Sequence, residues 1–503
     1  MRVGVYSRWI DTLGGGEQTL GAFAATLAEH HDVDLITHER PDWSRFQATL
    51  GFDLRSLTTR VLPYDRDHYR PLQTATKDYD LFINCSYLDP VRAYARVNVL
   101  QVFFPPAPPP VINGITPVPR VPTAALRPVG GLHLLERDRQ GVFAWTDGHA
   151  RFAVNPSAVP TADVTLRLAG ARPARLPRAA VEIEVDGNAV RSVQLPKRGY
   201  VDVQVPMPAV RPTTAATFVD VRSDTFDPSR SGTDTRTQLG VRVASAGSVS
   251  LDRWTDHRRY IDAIGTYQLL LSNSHFTQRW VARRFGRASE LLYPPVQVGQ
   301  FAPGPKRQRI ISVGRFFVDG HTKKQLEMIQ LFRRLCDEGL TGWDYHLAGG
   351  THHDQRSARY FQDCLAATAG YPITLHPDVP LSGLVDLYAG SALYWNATGY
   401  GEDEDREPDR FEHFGMTTVE AMASGCVPLS YARAGQPEVI EHEQSGILWE
   451  TLDELADQTL GLIADPARQR RLSSAAQQRS QIFTYARFRQ SLHRLLADTS
   501  RYS

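Results

Sequence analysis

RIISVGRFFVDGHTKKQLEMI, residues 309–329, holds a strand, a turn and the start of a helix. RIISV (309–313) is an apolar run of strand length. Gly314 permits a turn, and Arg315 then stands at the carboxyl end of the strand. In open α/β sheets that edge is where ligands bind. Leu326, Ile329, Phe332 and Leu335 follow at helical spacing. Lys323 and Lys324 stand at the start of this helix, where cations oppose the macrodipole. They read either as solubilising lysines or as anion ligands. The first reading meets the energetic objection that such a pair is unfavourable unless an anion compensates.

The same grammar extends in both directions. YHLAG (345–349), ALYW (392–395) and VPLSY (427–431) are further strands of a βα series that runs to about 480. An earlier series begins with RVGVY (2–6) and the run Gly14-Gly15-Gly16. Leu20, Phe23, Ala24, Leu27 and Ala28 fall at helical spacing after it, and VDLI (33–36), LFIN (81–84) and VNVLQVFF (97–104) continue it. Strands alternating with helices imply parallel, doubly wound sheets. Residues 105–128, PPAPPPVINGITPVPRVPTAALRP, are too proline-rich for a helix or a central strand and read as an extended connector. From about 140 to 251 the period changes to two: VTLRL (164–168), VEIEV (181–185), YVDVQV (200–205), FVDVR (218–222) and LGVRV (239–243). Asp186-Gly187-Asn188 is a hairpin signal between two such runs. The expected class is therefore α/β, with two Rossmann-like domains and an all-β, jelly-roll-like sandwich inserted in the first. The expected boundaries are 1–128 and 253–303 for the first domain, 129–252 for the insert and 304–480 for the second domain. A C-terminal helix in 481–503 should pack back on the first domain.

Bulk composition excludes some function classes. The chain has 503 residues, with 56 basic against 55 acidic side chains and a net charge of +1, which gives no bulk attraction to nucleic acid. The four cysteines, Cys85, Cys336, Cys364 and Cys426, form no CxxC and fit a reducing compartment better than a disulfide framework or a zinc site. No signal-peptide pattern and no apolar run of about 18 residues is visible, so a cytoplasmic protein is expected.

EHFGMTTVEAMASG, residues 412–425, carries the most chemistry. Ala421, Met422 and Ala423 are helix formers and Gly425 is a natural stop, so a helix should start near Gly415 to Thr418. Its N-terminal N–H groups and positive dipole end favour phosphate. Glu412 before the helix and Glu420 within it cannot serve phosphate, but they can accept hydrogen bonds from sugar and ribose hydroxyls. Alone, either glutamate reads as a solvated acid. A glycosidase-like acid pair is rejected, because phosphate-seeking groups stand alongside.

Together, GRF…K (314–323), EHFG…VEAMASG (412–425) and GQPEVI (435–440), with LYPPV (292–296), resemble the retaining GT-B glycosyltransferases of family 4. The resemblance runs from about Leu269 to Trp449, with a weaker part at the early glycine run. It implies that Arg315 and Lys323 hold a donor diphosphate, that Glu412 meets the donor sugar, and that Glu420 meets the ribose. It also places Gly314, Lys324, Phe414, Gly415, Met416, Thr417 and Thr418 beside the donor, and Gly15 and Gly16 across the cleft. By the same resemblance the enzyme retains anomeric configuration and needs no metal or other cofactor. Its partners would be a nucleotide-diphosphate sugar and a glycan or lipid-linked acceptor, in cell-surface polysaccharide or glycoconjugate synthesis. Two departures stand out. VDGHT separates Phe317 from Lys323, which is longer than the usual spacing, and Phe103 or Phe104 occupies the place of a histidine that many relatives set beside the donor sugar.

Weaker signals have competing readings. GEDEDREPD (401–409) reads as a solvated acidic loop, or as a screen at the cleft mouth. Trp280 with Arg279, Arg283, Arg284 and Arg287 fits a packed helix with a basic face, or a peripheral contact with an anionic membrane. Trp395 either stacks on a sugar or fills the core. His321, His352 and His353 have no partners at metal spacing, and His30, His31 and His38 are too early to replace the departed histidine. The insert is either a carbohydrate-binding module or a spacer. A non-catalytic nucleotide-sugar or glycan-binding protein on the same fold is the alternative function.

Overall fold

The computed structural model describes residues 1–64, 69–87, 89, 91–106, 125–154, 163–207, 217–226, 239–251, 260–318, 322–351, 355–405 and 407–497. Most of the proline connector, together with His321, His352 and His353, lies outside them.

The first series forms a parallel sheet in the order Glu290–Leu291, Leu269–Ser272, Val97–Val102, Leu81–Asn84, Arg2–Tyr6, Asp32–Thr37 and Thr58–Val61. Its central strands are apolar on both faces because helices cover both, as parallel sheets require. Val3, Val5, Leu35 and Ile83 pack on one side, and Tyr6, Ile36, Phe82 and Leu270 on the other. The helix Gly15–Ala28 covers the first face with Leu20, Phe23 and Leu27.

Leu269–Ser272 pairs directly with Val97–Val102, so everything between them leaves and re-enters the sheet at adjacent strands. That intervening chain forms an antiparallel sheet around its own core of Leu126, Phe152, Leu166, Ile183, Val221 and Val243. A long hairpin, Leu126–Asp138 with Gly141–Val154, organises it. Phe143 to Trp145 pair with Arg242–Ala244, whereas His149 to Ala153 pair with Phe218 to Arg222. Gly148, at φ 109°, lies between these two stretches. The hairpin begins at Leu126, inside the expected connector, and its strands lack the clean alternation that betrays the others. At Asp186 and Gly187 both φ angles are positive, as the two-residue turn requires.

The second series forms another parallel sheet, in the order Ile373–Pro377, Asp344–Gly349, Arg307–Val313, Ser391–Asn396, Val427–Tyr431 and Ile447–Trp449. The amphipathic helix Gln325–Asp337 buries Met328, Ile329, Phe332 and Leu335 against it. The last helix, Tyr485–Ala497, crosses back to the first domain. Phe488 meets Phe23 edge-on at 5.2 Å, the Tyr485 and Thr26 hydroxyls are 3.1 Å apart, and Arg489 pairs with Glu29. Burial of Phe488 and Leu492 there contributes on the order of 1.5–3 kcal/mol each.

Candidate active site in the interdomain cleft

The carboxyl ends of the two parallel sheets meet across a cleft. On the second-domain side, the strand Arg307–Val313 delivers Gly314 and Arg315. Arg315 is exposed, with its guanidinium 6.0 Å from the Phe317 ring centroid. Gly314 is needed for close approach, because a Cβ there would stand 2.5 Å from Lys323 Cγ. Lys323 lies along this glycine and pairs with Glu412 at 2.5 Å. The two residues expected on diphosphate and sugar therefore hold each other across the loop that precedes the helix Met416–Ala423. Lys324 is the N-cap of the helix Gln325–Asp337, with φ 55°, and pairs with Glu402 at 2.6 Å. The anions that compensate a basic pair at a helix start are thus two carboxylates of this chain.

The helix Met416–Ala423 starts within the expected span. Gly415 caps it with φ 103°, and a Cβ there would stand 2.2 Å from Gln436 Nε2, so only glycine fits. The threonine hydroxyls are committed to holding this end: Thr417 to Tyr394 at 3.0 Å, and Thr418 to Gln436 at 3.0 Å. Gln436 in turn donates to the Phe414 carbonyl at 2.9 Å. What the helix start offers a ligand is therefore main chain and dipole. The Phe414 side chain is buried between Tyr293 and Phe483, so it is a core residue and only its backbone borders the site. Glu420 accepts from the Tyr388 hydroxyl at 3.2 Å, and burial pushes its pKa up to about 7.

Opposite stands the first-domain glycine run. A Cβ on Gly15 would come 3.0 Å from Met416 Sδ, and one on Gly16 would lie 3.7 Å from Phe103. Gly15 thus brings the N-terminal turn of one helix against the N-terminal turn of the donor helix. Glu17 accepts from the Gly14 N–H at 2.7 Å, which satisfies the N-cap donor of the helix Gly15–Ala28. Burial raises its pKa, an effect that the Arg315 charge across the cleft opposes.

Several contacts join the two walls. The Glu438 carboxylate, within GQPEVI, accepts the N–H groups of His275 and Phe276 at 2.8 Å each. It thereby caps the helix His275–Phe285 from the other domain. Phe104 stacks on His413 of the donor loop at 4.0 Å with planes 10° apart. Phe104, one of the two rings expected in the histidine's place, thus meets a histidine supplied by the opposite domain. Arg283 pairs with Asp405 at 3.1 Å and Arg284 with Asp409 at 2.8 Å. The acidic loop is therefore not simply solvated: Glu402, Asp405 and Asp409 tie it to Lys324 and to the first domain. Trp280 is buried against Phe104, and Arg283 and Arg284 lie over its ring, so this helix is packed. Trp395 is fully buried and donates to Thr459 at 3.1 Å, which makes it a core residue. His38 bonds to the Tyr6 hydroxyl at 3.0 Å, just past the carboxyl end of Asp32–Thr37, and its ring lies 5.0 Å from that of Tyr64. Among the described residues no group of three or more metal-ligating side chains converges, and no helix is long and apolar enough to cross a membrane.

Two Rossmann-like sheets facing each other across a ligand cleft are the GT-B arrangement of glycosyltransferases. Residues 297–479 match the family model of the glycosyl transferases group 1. The whole fold is similar to Anabaena HepE in complex with UDP-glucose (TM-score 0.55, 12 % identity, 99 % of this chain and 100 % of that one). It is similar also to sucrose-phosphate synthase from Thermosynechococcus elongatus (TM-score 0.55, 11 % identity, 100 % of both chains). A third likeness is to the lipopolysaccharide outer core galactosyltransferase WaaB (TM-score 0.51, 10 % identity, 99 % and 100 %). A comparison of the sequence with curated proteins finds no match.

Proposed function

We propose that this protein is a retaining, metal-independent glycosyltransferase of family 4, moving a hexose from a nucleotide-diphosphate sugar to a glycan or lipid-linked acceptor at the cytoplasmic side of the membrane. The observation that carries the reading is the assembly at one cleft edge of Arg315, the Lys323–Glu412 pair and the glycine-capped start of Met416–Ala423. The match over 297–479 and the UDP-glucose of HepE, which shares the fold, support a nucleotide-sugar donor.

Departure of a nucleoside diphosphate leaves negative charge on the leaving oxygen and positive charge at the anomeric carbon. Fixed donors placed where charge develops lower that barrier. Arg315 and Lys323 supply them, in the role magnesium plays in other sugar transferases. An exposed helix end adds only about 0.3–1 kcal/mol, whereas each charge-assisted hydrogen bond adds about 1.5–3 kcal/mol. Arriving diphosphate takes over Lys323, and Glu412 is released toward sugar hydroxyls. Glu420 accepts from the ribose. The antiparallel insert, read as a sandwich over 129–252, serves as a glycan-binding module or a spacer. Deleting residues 130–250 and comparing short with long acceptors separates these two roles.

A non-catalytic nucleotide-sugar binder is favoured by one observation: the first domain sets Phe104, not a histidine, against the donor loop. A thermal-shift panel of UDP-, GDP- and ADP-sugars tests both readings, since a ligand at a hundredfold its Kd adds about 2.7 kcal/mol. Slow donor hydrolysis in the same samples, undiminished by EDTA, marks the metal-independent enzyme. Binding without turnover marks the binder, and no shift with any donor refutes both.

A further inference from the structure

The exposed aromatic residues are not scattered evenly. Trp9 and Tyr64, which expose 41 % and 38 % of their surface, flank one arginine, and Tyr87, 42 % exposed, meets Trp9 through its carbonyl. The Arg8 guanidinium lies 4.3 Å from the Trp9 ring centroid and 4.3 Å from that of Tyr64, so it fills the gap between the two rings. Trp9 is fixed in place: its indole N–H donates to the Tyr87 carbonyl at 3.3 Å and its backbone N–H to Ser7 Oγ at 3.2 Å. Below them Asp89, buried, accepts from Tyr6 at 3.0 Å, Tyr69 at 2.8 Å and Ser86 at 2.5 Å, and stands 3.7 Å from Arg8. Arg8 and Trp9 follow the carboxyl end of Arg2–Tyr6, Tyr64 and Tyr69 follow that of Thr58–Val61, and Ser86, Tyr87 and Asp89 follow that of Leu81–Asn84, all at the ligand edge of the first sheet. The platform borders the cleft. The chain runs from Trp9 through the turn Ile10–Thr12 to Gly15 on Met416, and the charges of Asp409 and Arg284 act on Tyr87.

We propose that Trp9, Tyr64 and Arg8 form a carbohydrate subsite that holds the glycan acceptor by stacking neutral sugar rings on the open faces of Trp9 and Tyr64. The proposal rests on the glycosyltransferase reading for the word acceptor, but not for the binding itself. Sugar is chosen over lipid because the apolar faces are interrupted. A guanidinium separates the rings and phenol hydroxyls lie beneath them, which suits a molecule with apolar C–H faces and polar edges. An acyl chain requires continuous apolar surface. Neutral sugar is chosen over an acidic one because Arg8 already faces the Asp89 carboxylate.

The test uses the full-length wild type with W9A and Y64A, two exposed positions whose replacement spares the core. Intrinsic fluorescence is titrated with linear hexamers of glucose, mannose and galactose in α and β linkage, and with phosphatidylglycerol vesicles. At least one hexamer binds the wild type and binds each variant about tenfold or more weakly. All three proteins retain the same nucleotide-induced thermal shift and melting temperature. Hexamer binding that is equal in wild type and variants overturns the proposal. So does binding of vesicles alone, or of no hexamer while the nucleotide shift is intact. Variant-sensitive hexamer binding with no nucleotide shift in any protein leaves the subsite standing and removes the transferase reading instead.

Discussion

Replacing Glu420 with glutamine probes the donor site through stability and binding together. The carboxyl sits on the helix Met416–Ala423 with the Tyr388 hydroxyl 3.2 Å away, and burial lifts its pKa from 4.5 to about 7. At about 1.4 kcal/mol per pH unit, that gap makes the ionised form cost the folded protein on the order of 3 kcal/mol. Below pH 4.5 the group is protonated both folded and unfolded, and it costs nothing. Between 4.5 and about 7 the unfolded chain ionises first, so stability falls as pH rises. Above about 7 both states are ionised and the whole penalty stands. Glu420→Gln should therefore match the wild type near pH 4.5 and exceed it in melting temperature at about pH 8. In the proposed role a ribose donates to the carboxylate, so the nucleoside diphosphate is expected to bind the ionised form better. Its affinity for the wild type should then rise across the same interval more steeply than for the variant, which shares only the titration of the phosphate itself. Scanning fluorimetry and calorimetric titration with the diphosphate found in the donor panel read both effects. An equal melting difference at the two pH values, or parallel affinity slopes, would refute the buried ribose-binding carboxylate.

The remaining predictions concern the same cleft. Arg315→Ala should lower kcat about 10²–10³-fold with little change in nucleotide Kd, as loss of one charge-stabilising donor does; a defect confined to donor affinity would move Arg315 from the leaving group to ground-state binding. Glu438→Gln should lower the melting temperature by weakening two cross-domain N–H bonds, a loss of about 1–2 kcal/mol, and should speed limited proteolysis between the domains; unchanged proteolysis would make that contact incidental. Gly435→Ala should abolish the nucleotide-induced thermal shift, because its Cβ would stand 2.3 Å from the His413 carbonyl and must displace the donor loop; a full shift in the variant would show that the loop position does not matter.

The sequence-to-structure outcome divides along physical lines. The α/β elements were legible where one signal governs: all-apolar runs such as LFIN for strands covered on both faces, and the three-to-four spacing of Leu326, Ile329, Phe332 and Leu335. Edge strands such as Thr58–Val61 and Ile447–Trp449 were not, because they are short and carry no period. The long hairpin of the insert escaped because its two strands are half covered and irregular in register. At the cleft, local rules placed the start of Met416–Ala423 and the residue after the strand Arg307–Val313. They could not show that the anions beside Lys323 and Lys324 are Glu412 and Glu402, since these partners lie far off in the chain. Glu438 stood inside a quoted motif, yet its partners are backbone N–H groups of another domain, which no side-chain pattern announces. Glu17 is more accessible: a glutamate three residues after a glycine cap can reach back to the cap N–H, which is half of a capping box.

The helix His275–Phe285 lies between the cleft and the insert. It follows Leu269–Ser272, the strand by which the chain re-enters the first sheet after the insert. Its N-terminus is capped by Glu438, two residues before Ile440 in the second domain. Its C-terminal residue Gly286, at φ 64°, faces Val129 and Arg151 of the insert's hairpin, where an added Cβ would lie 3.5 and 3.7 Å away. Of the cross-domain contacts, the more exposed pair of Arg283 with Asp405 is worth about 0–1 kcal/mol, whereas Arg284 pairs with Asp409 from a largely buried position. Two N–H bonds to a carboxylate, at about 1.5–3 kcal/mol each, outweigh the Arg283 pair. This polar link between the domains is made at a helix whose C-cap also faces the insert. A helix of 11 residues is about 16 Å long and transmits displacement with little bending. Glu438 at its other end stands two residues from Gln436, which anchors both Thr418 and the Phe414 carbonyl at the start of Met416–Ala423.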